Sequence, residues 1–368
     1  MLKKKVLFVG SFKDRSKDGG VGGQMFACKT IVNSDLGDSV NWTLIDTTAD
    51  SNILSSSFTR LKKAVARLFK FTYYLIFFKH EYILVFVADG WSFWEKGVMS
   101  LLAKCITKSK VIIAPRSGLI INDIGNKGKL RSFVPYVLKK VDIVVCQSKY
   151  WKTLFEEVTG KPNDSKFIVI ENIIDFNKYK DLPIRDLKKD EKITILFMGW
   201  VKKNKGIFEL IAAIKLLKKD NLNFKLIIAG MGEDYDKVVS DVESCGLADL
   251  ITFRGWVLGD SKIELLSNSD IFVLPTHFEG YPNSLMEAMA AGKACIASNV
   301  GSIPDMINSM ENGIIIERQD HKHLYESLKI LIEDIAIRKK MAVNAREQVR
   351  RMNAIPVGIQ KYRKLFSS

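Results

Sequence analysis

The sequence predicts a parallel α/β protein in two halves. Short apolar runs, rich in β-branched and aromatic residues, recur along the chain with little in–out alternation, as strands covered on both faces should. Helix-forming stretches separate them, which is the connection a parallel sheet requires. One charged, proline-containing stretch, Asp181–Glu191, breaks the rhythm near the middle. The 368 residues suffice for two domains, and 47% hydrophobic residues supply sizeable cores, so a disordered class is excluded.

The elements follow in order. Lys3-Lys4-Lys5 precedes Val6–Val9, whose four apolar residues are too few for a secretory leader and read as a first buried strand. Further strands are expected at Trp42–Asp46, Ile83–Val87, Val111–Ala114, Ile143–Gln147 and Phe167–Ile170, with helices such as Gln24–Asn33, Phe93–Thr107 and Trp151–Val158 between them. Asp181–Glu191 lacks an apolar face, so the linker is placed at 181–192. A second set of strands reads at Ile193–Met198, Phe224–Ala229, Ile251–Phe253, Ile271–Leu274, Ala294–Ala297 and Gly313–Ile316. Its helices are Gly206–Lys219, Asp234–Cys245, Ser261–Ser267 and Leu285–Ala291. The tail from Lys322 to about Arg351 reads as helix, ending near Pro356. The expected domains are 1–180 and 193–350, with 351–368 as a final piece.

Composition narrows the class. No apolar run approaches the roughly 18 residues of a spanning helix. Five scattered cysteines without a CxxC pair suggest neither a disulfide frame nor a zinc site, and point to a reducing cytoplasm. The four histidines form no metal cluster; His321 and His323 read as a solvated pair at a helix start. Net charge is +15 and uneven: residues 1–180 hold 29 Lys+Arg against 16 Asp+Glu. Such asymmetry suggests an anionic surface near the first half, lipid headgroups or nucleic acid. Phe58 to Tyr82 interleaves Arg60, Lys62, Lys63, Arg67, Lys70 and Lys79 with aromatic and aliphatic residues, which suits an anionic membrane surface or a core helix with a basic edge. No nucleic-acid recognition motif is present.

The most informative segment is His277-Phe-Glu-Gly-Tyr-Pro-Asn-Ser-Leu-Met-Glu287. A buried strand precedes it and a helix-forming run follows, so Glu279 and Glu287 flank a strand–turn–helix junction. Backbone N–H groups at such a turn are unpaired and favour an anion. The two carboxylates add acceptors for hydroxyls, and the combination suits a nucleotide sugar. A helix N-terminus with a solvated Glu on each side is the structural alternative.

The string Leu274 to Gly292 resembles the Glu-x7-Glu signature of retaining GT-B glycosyltransferases, the glycosyltransferase family 4 (group 1) type. The resemblance covers residues 193–317 strongly and the first half only through its rhythm and a glycine loop. It implies two Rossmann-like domains facing across a cleft, the first binding acceptor and the second donor, with the last helix, Ile355–Phe366, crossing back to the first domain. It implies hexosyl transfer from a nucleotide sugar with retention, no cofactor beyond that donor, no metal, and an acceptor that is a glycan, lipid-linked in bacterial surface polysaccharide synthesis. The place of action would be cytoplasmic, peripheral at the inner face of the plasma membrane.

Residue roles follow from the resemblance. Gly199-Trp-Val-Lys-Lys-Asn-Lys-Gly206 looks like the Gly-Arg-x4-Lys-Gly element whose cations clamp the donor diphosphate. Lys205 matches the Lys; Trp200 stands where Arg is usual, and Lys202 or Lys203 is the substitute. Lys205 and the N–H groups from Tyr281 through Pro282, Asn283 and Ser284 to Leu285, beside Gly280, would stabilise the leaving diphosphate. Glu287 would accept from ribose hydroxyls and Glu279 would sit near the transferred sugar. Gly230, after Leu226–Ala229, marks a tight turn near the nucleotide; Arg254, Trp256 and Val257 match the base-binding position, with a buried Trp the alternative. The loop with Gly19, Gly20, Gly22 and Gly23 reads as a lip near the donor phosphates or acceptor, or as a flexible surface loop. On the acceptor side the residues themselves are the guide: Ala88–Trp91 and Pro115–Gly118 each follow a strand, so Asp89 would orient or deprotonate a hydroxyl and Arg116 would hold a phosphate beside Ser117, with polar groups that only shape the loops as the alternative. A histidine common in this region of the family is absent. Two other readings stay open: a non-catalytic partner subunit of the same fold, and a nicotinamide-dependent oxidoreductase, against which the missing Gly-x-Gly-x-x-Gly counts.

Overall fold

A computed structural model describes residues 3–13, 23–48, 57–125, 128, 130–186 and 191–367. The chain forms two compact units, residues 1–173 with 355–368, and residues 174–354.

The first unit is built on β1 (Lys4–Gly10), β2 (Val40–Asp46), β3 (Tyr82–Val87), β4 (Lys110–Pro115), β5 (Ile143–Cys146) and β6 (Phe167–Val169). All pair in parallel in the order β2-β1-β3-β4-β5-β6, with Val6 between Trp42 and Tyr82. Six helices are interleaved: α1 (Gly23–Val32), α2 (Ser57–Phe77), α3 (Trp91–Ile106), α4 (Ile120–Ile124), α5 (Phe133–Lys140) and α6 (Lys149–Thr159). Both sheet faces are covered, which is why the strands do not alternate in polarity. Leu7, Val9, Ile83 and Val85 pack into one core; Val6, Phe8, Leu84 and Phe86 pack into the other. Each such side chain contributes about 1.5–3 kcal/mol on burial.

The second unit repeats the plan with β7 (Ile193–Met198), β8 (Phe224–Ala229), β9 (Ile251–Phe253), β10 (Ile271–Leu274), β11 (Ala294–Ser298) and β12 (Ile314–Ile316), in the order β12-β11-β10-β7-β8-β9. Its helices are α7 (Ile207–Lys219), α8 (Tyr235–Ser244), α9 (Gly259–Ser267), α10 (Asn283–Ala290), α11 (Ile303–Met306), α12 (His321–Glu333) and α13 (Ile335–Met352). Ile195 and Phe197 face one core, Leu196 and Met198 the other.

Two local expectations change. The tail is not one helix: it breaks at Asp334, whose carboxylate leaves α12 and accepts from Ile337 N–H at 2.9 Å to cap α13. A further helix, α14 (Ile355–Leu365), then starts with Pro356 in its first turn, where a missing N–H costs nothing. It belongs to the first unit, where Phe366 meets Trp42 and Tyr82 edge-on and Lys361 pairs with Glu171.

The boundary also lies earlier than the charged stretch suggests. Residues 174–186 fold with the second unit, and Ile174 N–H donates to Asn353 O at 2.8 Å. This segment is tied to the second unit by polar contacts. Arg185 pairs with Asp270 at 3.0 Å, while Lys293 and Arg346 donate to the carbonyls of Pro183 and Leu182. Residues 187–190 of the expected linker lie outside the described residues.

Candidate functional site

The loops that carry the donor-side motifs leave the carboxyl ends of β7, β8, β9 and β10, four neighbours in one sheet. Ligands of open α/β sheets bind at that edge. After β7, a single 3₁₀ turn at Lys203–Lys205 leads to Gly206 and α7. Gly206 has φ +72°, and a Cβ there would stand 1.8 Å from Pro275 O. Only glycine lets this loop lie against the end of β10. That contact brings Lys205 Nζ to 2.5 Å from Glu279 Oε1.

Glu279 is fixed from its other side. Gly301, at φ +55°, leaves room for the Glu279 carbonyl, which a Cβ would meet at 2.0 Å. Ser302 hydroxyl donates to Gly280 O, and Asn353 Nδ2 donates to Tyr281 OH at 2.7 Å. Pro282, whose side chain cannot cap, then precedes the α10 N-terminus formed by Asn283, Ser284 and Leu285. A helix N-terminus directs N–H donors toward an anion.

Glu287 lies one turn into α10, half-buried. It accepts from Lys262 Nζ at 2.6 Å and from the Tyr179 phenol. Burial, then the Glu287 charge, push the Tyr179 phenol up, so it stays a donor. Neither partner was singled out from sequence. Lys262 had a signal: it stands one turn before the buried Leu265 and Leu266, on the inward stripe of α9. His277 is a further missed neighbour, with Nε2 3.1 Å from Glu209 Oε1 and its N–H donating to Asn204 O at 2.9 Å.

Gly199 pairs with the end of β8, its N–H donating to Ala229 O at 3.0 Å, next to Gly230. Trp200 and Trp256 meet edge to face, ring centroids 4.7 Å apart, both about half exposed. The Trp256 ring is therefore not the buried alternative; Val257 beside it packs on the core. Lys202 sits over Trp200 at 5.5 Å and pairs with Glu233 at 3.3 Å. Arg254 is exposed, with its backbone N–H on Ile228 O.

In the first unit the acceptor-side residues lie at the carboxyl ends of β3 and β4. Ser117 hydroxyl donates to Asp89, and Gly90 N–H donates to Asp123 at 2.5 Å. Arg116 donates to Asn172 at 2.9 Å and Tyr362 at 2.6 Å, with its guanidinium over the Phe86 ring at 4.3 Å. Gly19, Gly20 and Gly22 lie outside the described residues, and Gly23 opens α1. Among the described residues no helix is long and apolar enough to cross a membrane.

Comparison with known proteins places this geometry. The family glycosyl transferases group 1 matches residues 180–348. The capsular polysaccharide biosynthesis glycosyltransferase CapM of Staphylococcus aureus is 28% identical over 274 residues, 69% of this chain and 70% of that protein. A Campylobacter jejuni enzyme, N,N'-diacetylbacillosaminyl-diphospho-undecaprenol alpha-1,3-N-acetylgalactosaminyltransferase, is 29% identical over 51% of this chain and 48% of its own length. Among solved structures, sucrose-phosphate synthase of Thermosynechococcus elongatus superposes with a TM-score of 0.79 at 18% identity, covering 99% of this chain and 100% of that one. Anabaena HepE, solved with UDP and glucose, superposes at 0.73 and 17% identity with the same coverage. The group 1 glycosyl transferase match thus spans nearly all of the second unit, and the whole chain has the GT-B fold.

Proposed function

We infer that the chain is a retaining glycosyltransferase that moves a sugar from a nucleotide-sugar donor to a hydroxyl of a lipid-linked glycan. The carrying observation is the Lys205–Glu279 pair on the loop that leads into the N-terminus of α10. In this reading the N–H groups of α10 hold the donor diphosphate. As the glycosidic bond breaks, charge grows on the outer phosphate, and Lys205 stabilises it more in the transition state than before. Glu279, freed from the ammonium, lies near the sugar. Glu287, oriented by Lys262 and Tyr179, accepts from the ribose hydroxyls, and Trp256 braced by Trp200 takes the base. Lysine and N–H donors supply the positive charge, so transfer needs no metal. On the first unit Asp89, held by Ser117, orients the acceptor hydroxyl.

The relatives support the substrate classes: HepE was solved with UDP and glucose, and the Campylobacter enzyme's name contains a diphospho-undecaprenol carrier. A lipid-linked acceptor places the chain at a membrane surface, and α2 supports that. Ala64, Phe71 and Leu75 turn inward, whereas Phe58 is 76% exposed and Phe69 73%, in line with Leu61, Val65, Tyr73 and Ile76. Lys62, Lys63 and Lys70 flank this second apolar stripe. Arg67 is committed elsewhere, to Glu95 through both oxygens at 2.7 and 2.8 Å.

The test is turnover by the purified chain. It is incubated with UDP-, GDP- and ADP-sugars and a prenyl-diphosphate-linked glycan, with and without EDTA, and the product's anomeric configuration is read by NMR. One donor should be consumed with retention and without loss in EDTA. No turnover with any donor would favour the non-catalytic partner reading, and inversion would remove the retaining one.

A further inference from the structure

At the carboxyl edge of β3 and β4 in the first unit, two cations form no ion pair among the described residues. Lys96 lies on α3, is 4% exposed, and has one hydrogen-bond partner among the described residues, the Ser92 hydroxyl at 3.2 Å. Ser92 Oγ in turn accepts from Ala88 N–H at 3.3 Å, so the ammonium sits where β3 ends. Arg116 begins one strand over, its N–H donating to Val87 O at 2.8 Å. Its guanidinium meets Asn172, Tyr362 and the Phe86 ring, all neutral, and its buried Nε has no acceptor. Both cations lie near enough to the Cys28 thiol to act on it electrostatically.

The carboxylates in reach are engaged. Glu95 takes Arg67 through both oxygens. Asp46 accepts from Phe12 N–H, Thr48 N–H and the Thr48 hydroxyl. Asp89 on the same edge accepts from Ser117. A buried cation facing only neutral partners is costly, and the cost falls when a negative group arrives. Buried Lys96 and half-buried Arg116 together present two positive charges. A carboxylate would leave one unanswered, whereas a phosphoryl or diphosphate group answers both and offers several oxygens to the Arg fork and the Lys point charge.

We propose that Lys96 and Arg116 form an anion site at the carboxyl edge of β3 and β4 that takes the phosphoryl or diphosphate group of the acceptor. It rests on the reading of this edge as the acceptor side, and gives that acceptor its chemical class. Lys96 and the Arg116 Nε are the donors waiting for it.

Inorganic pyrophosphate titrated by calorimetry into the full chain tests this. Every protein carries Lys205→Ala, so that the second unit's cation does not contribute. The parent should bind, and Lys96→Met and Arg116→Gln should each weaken binding about tenfold or more, the loss expected for one charge-assisted hydrogen bond. No binding by the parent, or equal affinity in variants that melt like it, overturns the site. Should Lys96→Met fail to fold, acetic anhydride labelling of the unaltered protein, read by mass spectrometry, serves instead. Pyrophosphate should protect Lys96. Equal labelling with and without it overturns the proposal. So does no labelling at all, because an ammonium closed to a small reagent is closed to phosphate. Farnesyl diphosphate binding more tightly than pyrophosphate marks a lipid source; equal affinity marks a soluble phosphorylated one. If pyrophosphate binds but phosphorylated and unphosphorylated acceptors are glycosylated at one rate, the anion site stands and the acceptor reading falls.

Discussion

At the carboxyl edge of the second sheet, lysines meet carboxylates: Lys205 with Glu279, Lys262 with Glu287, Lys202 with Glu233. At the same edge of the first sheet, Lys96 meets a serine hydroxyl, and Arg116 meets Asn172, Tyr362 and an aromatic ring. The second unit neutralises itself, so in the proposed function a diphosphate would compete with Glu279 for Lys205. Such a cation gives little to ground-state binding and more as charge grows on the leaving oxygen. The first unit keeps its positive charge standing. The +13 of residues 1–180, against +2 for the remainder, is the same contrast at the scale of the whole chain.

Lys205→Ala is the widest break of that contrast. Transfer should fall by about 10²-fold or more, the scale of losing one preorganised donor, with the loss in kcat rather than KM. Steady-state kinetics read it. A rise in KM alone would mean that Lys205 holds the ground state and that Glu279 does not compete for it.

Glu287→Ala should weaken nucleoside diphosphate binding by about tenfold, since hydrogen bonds to a charged group contribute about 1.5–3 kcal/mol. Lys262→Ala should reproduce part of that loss through Glu287 alone, and the double variant should be less than additive. Calorimetry on the four proteins gives the cycle. Additive losses would separate Lys262 from the carboxylate it contacts.

Much of this edge is legible in the sequence because its signals are local. The strands are continuous apolar runs, the turns carry Gly199, Gly206 and Gly230, and Lys205, Glu279 and Glu287 stand at fixed offsets from them. The partners are not local. Tyr179 and Lys262 reach Glu287 across the fold, and Arg185 reaches Asp270 from a stretch that reads as a linker. Lys96 is the clearest case. A lysine in a helix reads as exposed, and only the packing of α3 on the sheet buries it. α5 is hidden by Pro135, which sits in its first turn where it does no harm. Asp334, a capping residue type inside the helical pattern, is a signal that the reading of one helix from Lys322 to Arg351 passes over.

Each unit also buries one lysine, and they sharpen the comparison. Burial pushes both Lys96 and Lys293 down to about 8. Lys293 is answered by two carbonyls, Pro183 O at 3.0 Å and Ser267 O at 3.4 Å, with Asp270 close by. Between about pH 8 and the ordinary lysine value of 10.5, the unfolded chain binds a proton that folded Lys293 has released. The unfolded state then holds more protons, so stability rises with pH across that window and is flat below it. Buried Cys28, pushed up to about 12, acts oppositely above its ordinary value of 9.0. The difference between wild type and Lys293→Met isolates the lysine. Wild type should gain on the variant by about 1–2 kcal/mol from pH 8 to 10.5, after discounting the shift of a group beside other charges. Urea unfolding at stepped pH measures it. A constant difference would mean that Lys293 holds its proton equally in the folded and unfolded chain, with no shift on burial.

The smallest effect concerns the outer face of the first unit. Lys70 is exposed on α2, with its ammonium 6.0 Å from the Tyr74 ring centroid, beside the stripe of Phe69 and Tyr73. A basic side chain at an anionic surface contributes about 1 kcal/mol, so Lys70→Gln should weaken binding to phosphatidylserine vesicles by about fivefold at low salt. Arg67→Gln is the internal control, because Arg67 serves Glu95 rather than the surface. It should lower the melting temperature and leave vesicle affinity nearly unchanged. Co-sedimentation and a melting curve on the two variants decide between a face built for lipid and a helix whose charges serve only the fold. If Arg67→Gln weakens vesicle binding as much as Lys70→Gln does, the surface charge is diffuse and α2 has no special claim to the membrane.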